Sequence, residues 1–161
     1  AGVVLLHVFL PQLFRHVQLL ADDRRFHDDS AAIVAIGLLA YLAEGAAEID
    51  EAEAPLARFL TGLPPDVPLP RRVELPAAAI VAADALLDAA IAHWDRIGAT
   101  SATGLREAFL TRPGMLRMGD DGGARLRLER RGFDMLLDSL PWSISIVRLP
   151  WMTGPLYVDW R

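Results

Sequence analysis

The 161-residue sequence contains no cysteine, no lysine and no asparagine. Without cysteine there is no disulfide, no thiolate nucleophile and no cysteine-ligated zinc. Without lysine there is neither a Schiff-base lysine nor a Walker-type phosphate-binding lysine. All 16 basic residues are therefore arginine. With the abundance of alanine, this reads as a bias of base composition. Basic charge is also in deficit, because 21 Asp and Glu residues outweigh it and leave a formal net charge of −5. An acidic balance argues against nucleic acid, whose non-specific affinity comes from phosphate neutralisation. Long apolar runs are missing too. The longest uncharged stretches, residues 1–14 and 30–43, fall short of the roughly 20 residues that a membrane helix needs. The first is interrupted by His7, Pro11 and Gln12 and lacks the basic flank and cleavage pattern of a signal peptide. A soluble intracellular product without membrane insertion is the expectation.

What is present suits a folded domain. Hydrophobic residues make up 53% of the chain and charged residues 23%, outside the composition of disordered chains. A chain this long can bury roughly 70% of its unfolded surface in one core. A single globular domain over 1–161 is predicted. Its helical part spans about 1–112 and its β-rich part about 113–161.

The helical part is punctuated by caps and breakers. Pro11 suits a helix first turn, and Leu13, Phe14, Val17 and Leu20 follow at helical spacing. Asp28, Asp29 or Ser30 can cap a second helix over 30–43, and Gly45 can stop it. That helix is apolar nearly all round, which places it in the core. A short helix over 55–61 ends at Gly62 and the following prolines. A short strand is predicted at 73–75. The longest helix runs from Pro76 to about 97, with an apolar stripe of Ile80, Ala83, Leu87, Ile91 and Trp94 and a polar stripe of Asp84, Asp88 and Asp95. Thr100 or Ser101 caps a last helix that reaches about 111, and Pro113-Gly114 breaks it.

Beyond that break the period changes to two. Residues 115–118, the turn GDDGG and residues 124–130 read as a hairpin. A short helix over 133–140 follows. Strands are predicted at 143–149, with Ile144 and Ile146 on one face, and at 156–161, with Leu156, Val158 and Trp160 on one face and Tyr157, Asp159 and Arg161 on the other. The architecture is α+β: an N-terminal layer of short packed helices, then a small C-terminal antiparallel sheet made of a hairpin plus two strands.

Chemistry-bearing motifs are scarce. His7, His16, His27 and His93 are not spaced as a helical metal pair, and HExxH, GxSxG, GxGxxG and the P-loop are absent. Ser30 and Ser101 are explained as caps, and Ser143 and Ser145 as the polar side of a strand. Asp120-Asp121 falls in a loop too short for an EF-hand and is explained by a hairpin turn. No catalytic residue, cofactor or metal site is therefore assigned. RLRLERR, with Arg112 and Arg117 nearby in sequence, could face an acidic partner, although the wet side of a hairpin is the simpler reading. More telling are Trp142, Trp151 and Trp160, which crowd with Tyr157 into the last twenty residues. Such side chains are costly to expose and enriched at interface hot spots. A sheet packed on helices would bury at least one tryptophan and leave at least one partly exposed. As a protein-interaction surface the sequence nominates Trp142, Trp151, Tyr157 and Trp160 as anchors, with Arg148 and Arg161 as rim charges.

Four strings go further: LLHVFLPQLF, FLTGLPPDVPL, ALLDAAIAHWDRIGATSATGLREAFLTRPGML and LERRGFDMLLDSLPWSISIVRLPWMTGPLYVDW. In this order they resemble the contractile injection system tape measure protein family, components of phage-tail-like particles in bacteria. The resemblance covers nearly the whole chain. Val8 stands where the family pattern has proline, and Ser143 where it has glycine after the first LPW. The resemblance implies a non-enzymatic structural role and no cofactor. The domain would be one segment of a longer tape measure protein, anchoring the ruler at the baseplate hub or tube end and supporting assembly and length control. Implied partners are baseplate hub or spike and inner tube proteins, with several copies on a symmetric ring and no nucleic acid. The implied location is the bacterial cytoplasm during assembly and then the particle interior. Competing readings are an assembly adaptor or chaperone for cargo or baseplate components, and a cargo hydrolase.

Overall fold

The computed structural model describes residues 1–160. The chain opens with a buried 3-10 turn, Gly2–Leu6, and Pro11 lies in the first turn of helix α1, Leu10–His16, where its missing N–H leaves no bond unmade. Helix α2, Asp29–Glu44, begins where the Asp28 carboxylate accepts the Ala31 N–H at 2.8 Å, and it ends at Gly45 with φ 80°. It buries Ala32, Ala35, Ile36, Leu38, Leu39 and Leu42 and is the central helix of the layer. Helix α3, Ala54–Thr61, ends at Gly62, whose φ of 68° is left-handed.

Helix α4, Ala77–His93, stops short of the predicted end. Trp94 leaves helical geometry, and a separate 3-10 turn, Asp95–Ile97, follows. Trp94 is 1% exposed, lies 4.8 Å from the ring of Phe109 and donates its Nε1–H to the Ser139 hydroxyl at 2.9 Å. Asp84, Asp88 and Asp95 stay exposed on the polar stripe. Ser101 caps helix α5, Ala102–Leu105, by accepting the Gly104 N–H at 3.1 Å. A wider π turn, Arg106–Leu110, completes it.

The C-terminal part is a four-stranded sheet built from β1, Gly114–Met118, β2, Ala124–Leu128, β3, Ile146–Val147, and β4, Leu156–Asp159. A 3-10 helix, Gly132–Ser139, lies between β2 and β3. The strand order is β1-β2-β4-β3. The fold is α+β, but the sheet is mixed: β1–β2 and β3–β4 are antiparallel, whereas β2–β4 is parallel. Its inner face carries Leu126, Leu128, Leu156 and Trp160, which join Leu5, Leu6, Phe14, Leu38 and Leu87 in one hydrophobic cluster.

Two predicted strands shrink for identifiable reasons. Residues 73–75 make no strand. Only a single bridge, Glu48 with Arg72, forms there, because Val73 turns inward against Gly37 of α2, where an added Cβ would lie 2.6 Å from that of Val73. The strand expected over 143–149 is reduced to Ile146–Val147. The Ser143 carbonyl is taken by the His7 ring at 2.9 Å and Trp142 is tied to Leu5, so these residues are pinned to the N-terminal segment. Ile144 and Ile146 consequently do not share a face: Ile144 is buried, while Ile146 is 54% exposed.

Candidate protein-interaction surface

Alternation in β2 and β4 sends Leu126 and Leu156 inward and Arg125, Arg127, Tyr157 and Asp159 outward. The register aligns these outward residues across the sheet. One row reads Arg117, Arg125, Tyr157, Ile146, and the next reads Met115, Arg127, Asp159. The Arg125 guanidinium carbon stands 5.5 Å from the Tyr157 ring centroid, a cation–π contact across neighbouring strands. Arg127 Nε is 3.9 Å from an Asp159 oxygen. At this exposure the pair contributes little stability. Met115 is 57% exposed and Tyr157 38%. Arginine, tyrosine and methionine, side by side on this exposed face, are residue types enriched at protein interfaces.

The six nominated residues do not converge there. Tyr157 and Arg148 are exposed. Trp142 is half-buried; its Nε1–H donates to the Leu5 carbonyl at 2.9 Å and its ring meets Phe9 edge-on at 5.1 Å. Trp151 and Trp160 are corrections, because both lie in the chain's own core. Trp151 packs 5.5 Å from Phe14 and 5.1 Å from Phe26 and donates to the Leu60 carbonyl at 2.8 Å. Trp160 is 2% exposed and lies under the Arg112 guanidinium, 5.4 Å from its carbon. Arg161 lies outside the described residues. The outward arginines Arg117, Arg125 and Arg127 complete the patch. The alternation in RLRLERR was the signal for two of them.

Arg112 is also corrected. It does not share a surface with Arg117 but is buried, donating from Nη1 to both Asp134 carboxylate oxygens at 2.9 and 3.0 Å and to the Glu129 carbonyl at 2.8 Å. Its Nη2 donates to the Ala108 carbonyl at 2.6 Å. It clamps the end of the helical layer to the 3-10 helix after β2.

A cleft of about 370 Å³ opens beside α2 and α3. Its apolar floor includes Val3, Ile36, Leu39 and Leu56, and its rim includes Glu44 and Glu48. Neither histidine nor serine lines it, and the Thr111 hydroxyl on its wall is spent on the Ala43 carbonyl at 3.0 Å. Among the described residues no three His, Asp or Glu side chains converge as a metal site, and no helix is long and apolar enough to cross a membrane. His7 has its pKa lowered, chiefly by burial and against the opposing effect of its bond to the Ser143 carbonyl.

A family model described as contractile injection system tape measure protein matches residues 1–160. No curated protein and no solved structure matches the chain.

Proposed function

The chain belongs to the contractile injection system tape measure protein family, and from that premise we propose that this domain is a folded anchor of the tape measure rather than its ruler. One observation carries the reading: the chain is spent on packing, not on length. As one continuous helix it would reach ~240 Å. Its longest helix instead has 17 residues, roughly 26 Å, and residues from both ends of the chain meet in one core. A ruler must extend, whereas an anchor must hold a shape and present a surface. The outer sheet face, with Tyr157 and the row of arginines, supplies that surface; Arg148 is exposed just past β3, and half-buried Trp142 ends the first LPW corner, residues 140–142.

In this reading the domain sits at the baseplate hub or the tube end, contacts hub or inner tube proteins, and supports tube assembly and length control without catalysis. It is present in the several copies that a symmetric ring requires. It meets these partners in the bacterial cytoplasm and is then enclosed in the particle. In-frame deletion of the segment from its native gene, followed by negative-stain electron microscopy of purified particles, tests the proposal. Loss of assembled particles, or tubes of uncontrolled length, is the expected result. Particles of normal length, or the domain labelled all along the tube instead of at one end, would refute it. Normal particles lacking the domain would favour an assembly adaptor.

A further inference from the structure

Strand β1 is the outermost strand of the sheet, and its outer edge is open. The Gly119 N–H donates to the Gly123 carbonyl at 2.8 Å, and the Glu129 N–H to the Pro113 carbonyl at 3.2 Å. Combined with the register Leu116↔Leu126, this puts residues 113, 115, 117 and 119 in the hydrogen-bonded pairs with β2. The N–H and C=O groups of the alternate residues Gly114, Leu116 and Met118 therefore point away from the sheet. Among the described residues none of these groups has a backbone partner. Exposed edges of this kind are usually blocked by a bulge, a proline, charged side chains, or a covering loop or helix, and of these β1 has a single charge, Arg117. β1 has no proline, its pairing with β2 is unbroken over five residues, and Met115 and Met118 stand 57% and 65% exposed on it.

The charges beside the edge select what can be added. Arg117 is directly across from Arg125 on the outer face. An incoming strand would place its own outward side chain beside Arg117, at the spacing of a cross-strand pair. On the other face its neighbour would be half-buried Leu116. A second copy of β1 would crowd two Arg117–Arg125 pairs onto one face with no acid between them. Arg117 thus opposes pairing between identical edges, and an acidic strand removes that opposition.

We infer that the open edge of β1 is a strand-addition site for a partner segment that alternates acidic and apolar side chains. The inference deepens the anchor reading and rests on it for the partner being a component of the particle. Backbone bonds would supply the grip, and the arginine row the selectivity.

The test uses the purified chain with a synthetic Glu-Val-Glu-Val-Glu-Val-Glu peptide and its Lys-for-Glu counterpart, reading amide hydrogen exchange residue by residue. The acidic peptide should slow exchange at Leu116 and Met118 at least tenfold, and the basic peptide should not. Arg117→Glu, a change at an exposed position, should reverse that preference while leaving the thermal midpoint in place. Three outcomes overturn the inference: no slowing at either amide, equal slowing by both peptides, or slowing that grows with protein concentration in the absence of peptide, which would assign the edge to a second copy. Failure of the anchor reading is separately visible. A domain labelled along the whole tube would sink the anchor even if the peptide result stood.

Discussion

Replacing Trp151 by alanine distinguishes a core tryptophan from an interface one. The side chain is 7% exposed, packs against both Phe14 and Phe26, and gives its only N–H to the Leu60 carbonyl. Truncating a buried tryptophan costs about 3–5 kcal/mol in lost transfer energy and residual cavity. The Leu60 carbonyl also loses its indole donor, adding about 1 kcal/mol. For a domain of this size each kcal/mol moves the thermal midpoint by roughly 2–4 °C, so Trp151→Ala should lower it by roughly 8–24 °C. Trp151→Phe keeps an aromatic ring against Phe14 and Phe26 and should lose less than half as much. Tyr157→Ala, on the exposed outer face, should stay within about 0.5 kcal/mol of the parent, as surface changes do. Circular dichroism melts of the three variants give the ranking. A Trp151→Ala midpoint within 3 °C of the parent, combined with lost association with the particle, would refute the burial reasoning and return Trp151 to the interface.

Further expectations follow from other named contacts. Gly62→Ala should destabilise the chain well beyond a surface substitution, because φ is 68° there and a Cβ would approach the Trp151 carbonyl oxygen to 2.8 Å; urea unfolding measures it. Arg112→Met leaves the Asp134 carboxylate without its guanidinium and should cost about 3–5 kcal/mol, as breaking one side of a buried pair does. The double variant Arg112→Met/Asp134→Asn should be less destabilised than the single one, and a double-mutant cycle reads the coupling. The pKa of His7 is lowered on folding, chiefly by burial, so the unfolded chain binds its proton more readily. The stability this contributes is complete above the unfolded value of about 6.5 and is lost as pH falls from there through the folded value. The urea midpoint should therefore drop as pH falls below about 6.5, and His7→Gln should flatten that slope; an unchanged slope would show that other groups carry it.

The local layer was largely legible in the residues, for physical reasons that can be named. Asp28, Gly45, Gly62 and Ser101 act through backbone donors and φ angles within a few residues of themselves, so the sequence places these helix ends closely, with Asp29, Ser30 and Thr100 left as rival caps. The alternation of Arg125, Leu126, Arg127 and Leu128 likewise reports which side of β2 is dry. Alternation is silent, however, on which strand lies alongside which. It requires only that inner faces agree, and a parallel or an antiparallel neighbour satisfies it equally. The parallel pairing of β2 with β4 is decided elsewhere. Trp151 and Met152 drive the second LPW corner, residues 149–151, into the helical layer, and the corner delivers Pro155 so that its carbonyl accepts the Ala124 N–H at 2.9 Å. β4 then has to run beside β2 in the same direction.

The same corner explains why the tryptophan cluster was ambiguous. An indole that bridges two layers and one that awaits a partner look alike in a sequence, because both are large, amphipathic and close to turns. Burial separates them here, and two of the three indole N–H groups have a destination, whereas that of Trp160 is buried without a hydrogen-bond partner among the described residues. Trp142 and Trp151 spend theirs on the carbonyls of Leu5 and Leu60, residues 137 and 91 positions away. These indoles hold the sheet to the helices, and that fixed sheet leaves Tyr157 and the arginine row facing outward. Any surface this domain offers to a partner is therefore to be sought in the residues that alternate with its buried ones, and not among its largest aromatic side chains.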